Sequence, residues 1–269
     1  MHRRLTKHHG LGNDFLVLEI GSDEDSSAAE WVDLARAWCD RRTGVGADGV
    51  LLLERKAPDR LGMTLYNADG SRAEMSGNGI RCLVQAAHAD GPDGIDYVVD
   101  TDAGERHVTV VRRLDHVTHL LSVDMGTVSD LPEPLGWAAL KCHPDRPVRH
   151  SSLGNPHSVV GVDDVRAVDL LALGTLVPHV NLEIIEPGPE PHAVTMRVHE
   201  RGAGITMACG TGACAAAEAA VAWGLVPAST ADVLVHMDGG DARVVVERKT
   251  RRITLIAEAT FVATVTVAS

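Results

Sequence analysis

Two glycine-rich stretches of the same design constrain this chain more than any other feature. The first runs from Asn67-Ala68-Asp69-Gly70-Ser71 to Ser76-Gly77-Asn78-Gly79 and enters a helical run, Ile80 to Ala89. The second runs from Glu200-Arg201-Gly202-Ala203-Gly204 to Cys209-Gly210-Thr211-Gly212 and enters an alanine-rich run, Ala215 to Ala222. In each, a polar anchor (Asn67 or Glu200) stands nine positions ahead of a hydroxyl or thiol (Ser76 or Cys209). Two loop-then-helix units predict two similar half-domains, each offering a helix N-terminus to one ligand. Free N–H groups at such an end favour an anion such as a carboxylate, and the glycines allow close backbone approach. The same positive helix end favours thiolate at Cys209.

At 269 residues the chain suits one large or two medium domains. Lys and Arg number 25 against 37 Asp and Glu, a net charge of −12, which argues against nucleic-acid or anionic-membrane partners. No run of eighteen apolar residues occurs, and Met1-His2-Arg3-Arg4 lacks the apolar segment of a signal peptide, so a cytoplasmic protein is expected. The five cysteines form no CxxC pair and are odd in number, against a disulfide framework. Apart from Cys209, they read as small buried hydrophobes.

The pattern is strand-heavy, with β-branched alternation in runs such as Asp14–Ile20, Val50–Leu53, Asn181–Ile185, Ile253–Ile256 and Phe261–Val267. Helices are expected at 28–41, 79–89, 165–173 and 212–223. Gly44-Val45-Gly46-Ala47-Asp48-Gly49 spells GxGxxG, but a helix precedes it and a strand follows, the reverse of a dinucleotide site. No HExxH or Cys/His ligand spacing points to a metal, and His8-His9 and His116 to His119 read as solvated or supporting residues.

Taken in order, the motifs resemble the diaminopimelate epimerase family of cofactor-independent amino-acid racemases and epimerases. His9-Gly10-Leu11-Gly12-Asn13-Asp14-Phe15 is similar to its opening motif. The Asn67 and Ser76 loops, Gly154-Asn155-Pro156-His157, Asn181, Glu200 to Gly204 and Ala208 to Ala215 follow in family order. The resemblance implies an α/β (α+β) fold of two pseudo-symmetric domains, each a curved, mostly antiparallel sheet wrapped around a central helix. The halves would span 1–118 and 119–261, with a C-terminal strand, 262–269, returning to the first.

It also implies interconversion of LL- and meso-diaminopimelate, a lysine and peptidoglycan precursor, without pyridoxal phosphate or metal, often as a homodimer. Cys209 matches the second catalytic cysteine. Gly77, Asn78, Gly210 and Thr211 match backbone donors for the reacting carboxylate. Asn13, Asn67, Asn155, Asn181 and Arg201 match the grip on the distal end, and Glu200 the carboxylate that meets an ammonium. These types suit a substrate with two zwitterionic ends, because guanidinium binds carboxylate in two-pronged fashion and carboxylate accepts from ammonium. His157 matches a supporting histidine.

One departure bears on mechanism. Ser76 stands where the family carries its first catalytic cysteine. A hydroxyl is a far weaker acid than a thiol and needs an activating neighbour to remove a proton. Three readings remain open: an epimerase with a Ser76/Cys209 pair, a racemase or isomerase of another amino acid, and a non-catalytic amino-acid-binding homologue.

Overall fold

A computed structural model describes residues 2–21, 27–89 and 91–268. The chain divides into two compact units, Met1–Val123 with Ala257–Ser269, and Asp124–Ile256. The first contains β1 (His2–Gly10), β2 (Asn13–Ile20), α1 (Ala28–Cys39), β3 (Gly49–Ala57), β4 (Arg60–Asn67), β5 (Arg72–Ala73), α2 (Gly77–His88), β6 (Ile95–Thr101), β7 (Gly104–Arg113) and the start of β8 (Thr118–Thr127). The second contains β9 (Ser129–Asp130), a 3₁₀ turn (Trp137–Leu140), β10 (Val148–Ser152), β11 (Pro156–Gly161), α3 (Leu170–Leu176), β12 (Asn181–Pro187), β13 (Ala193–Glu200), β14 (Gly204–Thr206), α4 (Gly210–Trp223), β15 (Val233–Met237), β16 (Gly240–Val246) and the start of β17 (Arg252–Ala268).

Strand pairing is the same in both units. In the first, β1–β2 is antiparallel, β2–β3 parallel, β3–β4 antiparallel, β4–β6 parallel, and β6–β7 and β7–β8 antiparallel. In the second, β10–β11, β11–β12, β12–β13, β13–β15, β15–β16 and β16–β17 repeat that series in order. Each sheet encloses one helix. All but one of the twelve residues of α2, and the first eleven of α4, are buried. The small side chains of α4 let the surrounding strands approach it closely.

Strand alternation sends one face of each sheet to this central helix and the other to an outer layer. In β3, Val50 and Leu52 join Trp31 and Trp38 of α1 in an outer core. In β12, Leu182 and Ile184 join Trp137, Val165 and Leu170 in its counterpart. Leu51 and Glu183 therefore point inward, the first under α2 and the second under α4.

Several expectations need correction. Strand β1 does not show in the sequence, because His2 to His9 is mostly polar; it is held by pairing to β2 and to β17. Helix α1 stops at Cys39 because the Asp40 carboxylate accepts from Arg42 N, Thr43 N and the Thr43 hydroxyl, bending the chain away. The helix expected at 165–173 is α3, from Leu170 to Leu176. Val165 N is drawn to Glu186 Oε2 instead, and Asp169 caps the helix by accepting from Ala172 N. The strands at 253–256 and 261–267 are one continuous β17, and the divisions after 118 and before 262 fall inside β8 and β17. Of the two alternatives for His8 and His119, the solvated one does not apply: both are buried and both meet Gln85. The GxGxxG stretch lies between α1 and β3, as its context requires. Among the described residues, no helix is long and apolar enough to cross a membrane.

Candidate active site

Cys209 is the residue immediately ahead of α4. Its backbone is extended (φ −127°, ψ 116°), and its Sγ accepts from Gly212 N at 3.3 Å. Ser76 holds the same position ahead of α2, with φ −140° and ψ 123°, and its Oγ accepts from Gly79 N at 3.0 Å. Both sites need the glycine at the third helical position. A Cβ on Gly212 would lie 2.8 Å from Glu183 Oε1 and 3.2 Å from Cys209 Sγ; one on Gly79 would lie 3.1 Å from Ser76 Cβ.

A line of polar groups leads away from the thiol. Thr211 Oγ1 is 3.5 Å from Cys209 Sγ and accepts from Asn155 Nδ2 at 3.2 Å. Asn155 Oδ1 is 3.0 Å from His157 Nε2, and His157 Nδ1 is 2.7 Å from Glu183 Oε1. His157 and Glu183 have no solvent exposure. Sequence reasoning missed Glu183; its one signal was an acid between Leu182 and Ile184 in a run that reads as buried strand. The side chain of Asn181 donates to Pro156 O and accepts from Arg201 N. Glu200 Oε1 accepts from the Thr206 hydroxyl at 2.5 Å, while Arg201 is exposed on the turn between β13 and β14.

In the ligand-free protein the helix end does not act alone on the Cys209 thiol. Burial pushes the Cys209 thiol well above its ordinary range, and the nearby Glu200 carboxylate pushes it further. Hydrogen bonds from Thr211 and Gly212 act the other way and are outweighed. The resting group is a neutral thiol. Burial also raises the Glu183 carboxyl, partly offset by His157.

In the first unit, Asn13 Nδ2 donates to Asp48 Oδ2 at 2.7 Å, and Asn13 Oδ1 accepts from Asn78 Nδ2 at 3.2 Å. Arg41 bridges Asp48 and Asp14, and Lys7 also pairs with Asp14. Asn67 is tied to its own turn by a bond to Ser71 Oγ. Thus hydrogen bonds join Asn155, His157, Thr211 and Cys209 into one cluster and Asn13 with Asn78 into another. The five cysteines are free; Cys39, Cys82 and Cys214 are buried and Cys142 is half-buried. Among the described residues, no group of three or more His, Cys, Asp or Glu side chains could hold a metal ion.

The family model for diaminopimelate epimerase matches residues 5–131 and 150–262. The chain belongs to the diaminopimelate epimerase family. A protein from Magnetococcus marinus named diaminopimelate epimerase is 38% identical over 91% of this chain and 90% of its own. One of the same name from Thermosynechococcus vestitus is 39% identical, over 88% of this chain and 90% of its own. Among solved structures, a predicted epimerase from Pseudomonas aeruginosa superposes with a TM-score of 0.76 at 15% identity, over 99% of both chains. A hydroxyproline epimerase from Agrobacterium vitis gives 0.68 at 16% identity, over 99% of this chain and 91% of that one. At such identities these two share the fold.

Proposed function

We propose that the protein interconverts LL-2,6-diaminopimelate and meso-diaminopimelate, taking the α-proton from one face and returning a proton to the other. Cys209 serves one face and Ser76 the other. Backbone N–H groups of Gly77 and Asn78, and of Gly210 and Thr211, hold the α-carboxylate where carbanion charge develops, in place of a cofactor electron sink. Asn13, Asn67, Asn155, Asn181 and Arg201 hold the distal end, Glu200 meets an ammonium, and His157 supports the thiol side. The observation that carries this reading is the matched placement of Ser76 and Cys209 ahead of equivalent buried helices.

Glu200 gives a route from resting thiol to base. Its carboxylate raises the thiol; a substrate ammonium beside it cancels that charge and lowers the cost of ionising Cys209. The enzyme is a cytoplasmic homodimer in this reading, and light scattering tests the assembly. Incubation with LL-diaminopimelate in heavy water tests the chemistry: deuterium enters one α-carbon as the meso form accumulates. The hydroxyl at Ser76 favours one competing reading, an amino-acid-binding homologue, which binds without exchange in the same assay.

A further inference from the structure

Among the described residues, the Asn155–Thr211 link of the polar line behind Cys209 is matched in the serine half by Asn78 donating to Asn13, but its His157–Glu183 end is not repeated there. The β11–β12 register places His157 opposite Asn181, two residues before Glu183. The β2–β3 register places Phe15 opposite Gly49, two residues before Leu51. Phe15 and Leu51 thus hold, in the first unit, the places of His157 and Glu183 in the second. Leu51 packs against the Gly79 position as Glu183 does against Gly212. An apolar residue suffices for the fold at that point, so a fully buried carboxyl there calls for another role.

Donor counting assigns the direction of each bond. Asn155 Nδ2 donates to Thr211 Oγ1, which leaves the Thr211 proton free to point at the Cys209 sulfur. Asn155 Oδ1 accepts, so His157 Nε2 carries a proton. His157 Nδ1 then either donates to a Glu183 carboxylate or accepts from Glu183 Oε1 as a carboxylic acid, and the second carboxyl oxygen decides between them. Glu183 Oε2 is buried with no hydrogen-bond partner, a costly place for a charged oxygen and a tolerable one for a neutral acid. Burial raises the carboxyl in the same sense.

We propose that Glu183 is a positioning residue for Cys209: as a neutral acid it sets a one-way donor chain, Glu183 to His157 to Asn155 to Thr211, that ends on the sulfur and stabilises its thiolate. Loss of the Glu183 proton reverses the chain, and Thr211 then donates away from sulfur. This deepens the assignment of Cys209 as the acid-base thiol and rests on it, yet its test does not depend on turnover.

The test follows iodoacetamide alkylation of Cys209 against pH in the full chain, resolved by peptide mass spectrometry, in wild type, Glu183→Gln and Glu183→Ala. The Gln amide donates to His157 as the acid does, so its alkylation curve stays with wild type. In Glu183→Ala the chain loses its direction, and alkylation at a fixed pH below the midpoint slows about tenfold as the thiolate fraction falls. A purely structural role would lower the melting temperature and leave the midpoint in place. Nitrogen-15 spectra of wild type should show His157 neutral with its proton on Nε2, a readout that stands even if the Ala variant fails to fold. Slowing in Glu183→Gln equal to that in Ala, no slowing in a folded Ala variant, or a proton on Nδ1 would each overturn the proposal. Solvent exchange retained in Cys209→Ala would instead overturn the underlying assignment.

Discussion

Ser76 and Cys209 occupy one structural position in two copies of the same strand-and-helix pattern, each accepting an N–H from the glycine three residues on. Local backbone geometry therefore does not separate them; the ionisable atom does. A thiol ionises within reach of neutral pH, whereas a hydroxyl does not without help.

Exchanging these atoms gives the first prediction. Cys209→Ala should lower kcat by about 10²- to 10⁴-fold, the usual contribution of a positioned acid-base group. Ser76→Cys should match or exceed wild-type turnover, because a thiol fits the same cap. Ser76→Ala should lose turnover and about 0.5–2 kcal/mol of stability with the cap bond. Steady-state kinetics and denaturant titration check each.

The charge on Glu200 gives the second. Glu200→Gln removes a carboxylate that holds the Cys209 thiol up, so alkylation of Cys209 at neutral pH should speed up even as epimerisation fails. Peptide-resolved alkylation in both proteins measures this. Equal or slower labelling in the variant would remove Glu200 from the electrostatics of the thiol.

A third prediction concerns the two glycines. Gly212→Ala presses a methyl against Glu183 Oε1 at 2.8 Å, whereas Gly79→Ala meets Ser76 Cβ at 3.1 Å. The first should cost more stability than the second and should slow Cys209 alkylation. Thermal melts of the paired variants, with the alkylation assay, give the comparison.

Acid should expose the fourth. His8 is buried on β1, its Nδ1 bonded to Gln85 Oε1, and burial lowers it to about 4. The folded protein keeps it neutral while the unfolded chain binds a proton below about 6.5. Its contribution is intact above pH 6.5, falls as pH drops toward 4, and amounts to a loss on the order of 3 kcal/mol. Denaturant titrations from pH 7 to pH 4 should show a shallower decline in His8→Gln than in wild type.

Much of this was legible in the chain because glycine spacing and helix-forming runs are local signals. Ser76, Gly79, Cys209 and Gly212 fall where their loops place them, and the helices that follow run as their alanine content suggests. What was hidden depends on partners distant in sequence. Strand β1 is polar and exists because β2 and β17 flank it. Helix α3 starts late because Glu186 holds Val165 outside it. Glu183 reads as one more strand residue until the register turns it toward α4 and His157. The surroundings of Cys209 are hidden for the same reason: the helix end is visible in sequence, but the burial and the Glu200 carboxylate that act against it are not.

The most direct measurement is solvent deuterium uptake by LL-diaminopimelate with the purified wild-type protein. Accumulation of meso-diaminopimelate carrying deuterium at a single α-carbon, lost in Cys209→Ala, is the expected result. Substrate that binds yet keeps every α-hydrogen in heavy water would contradict the account.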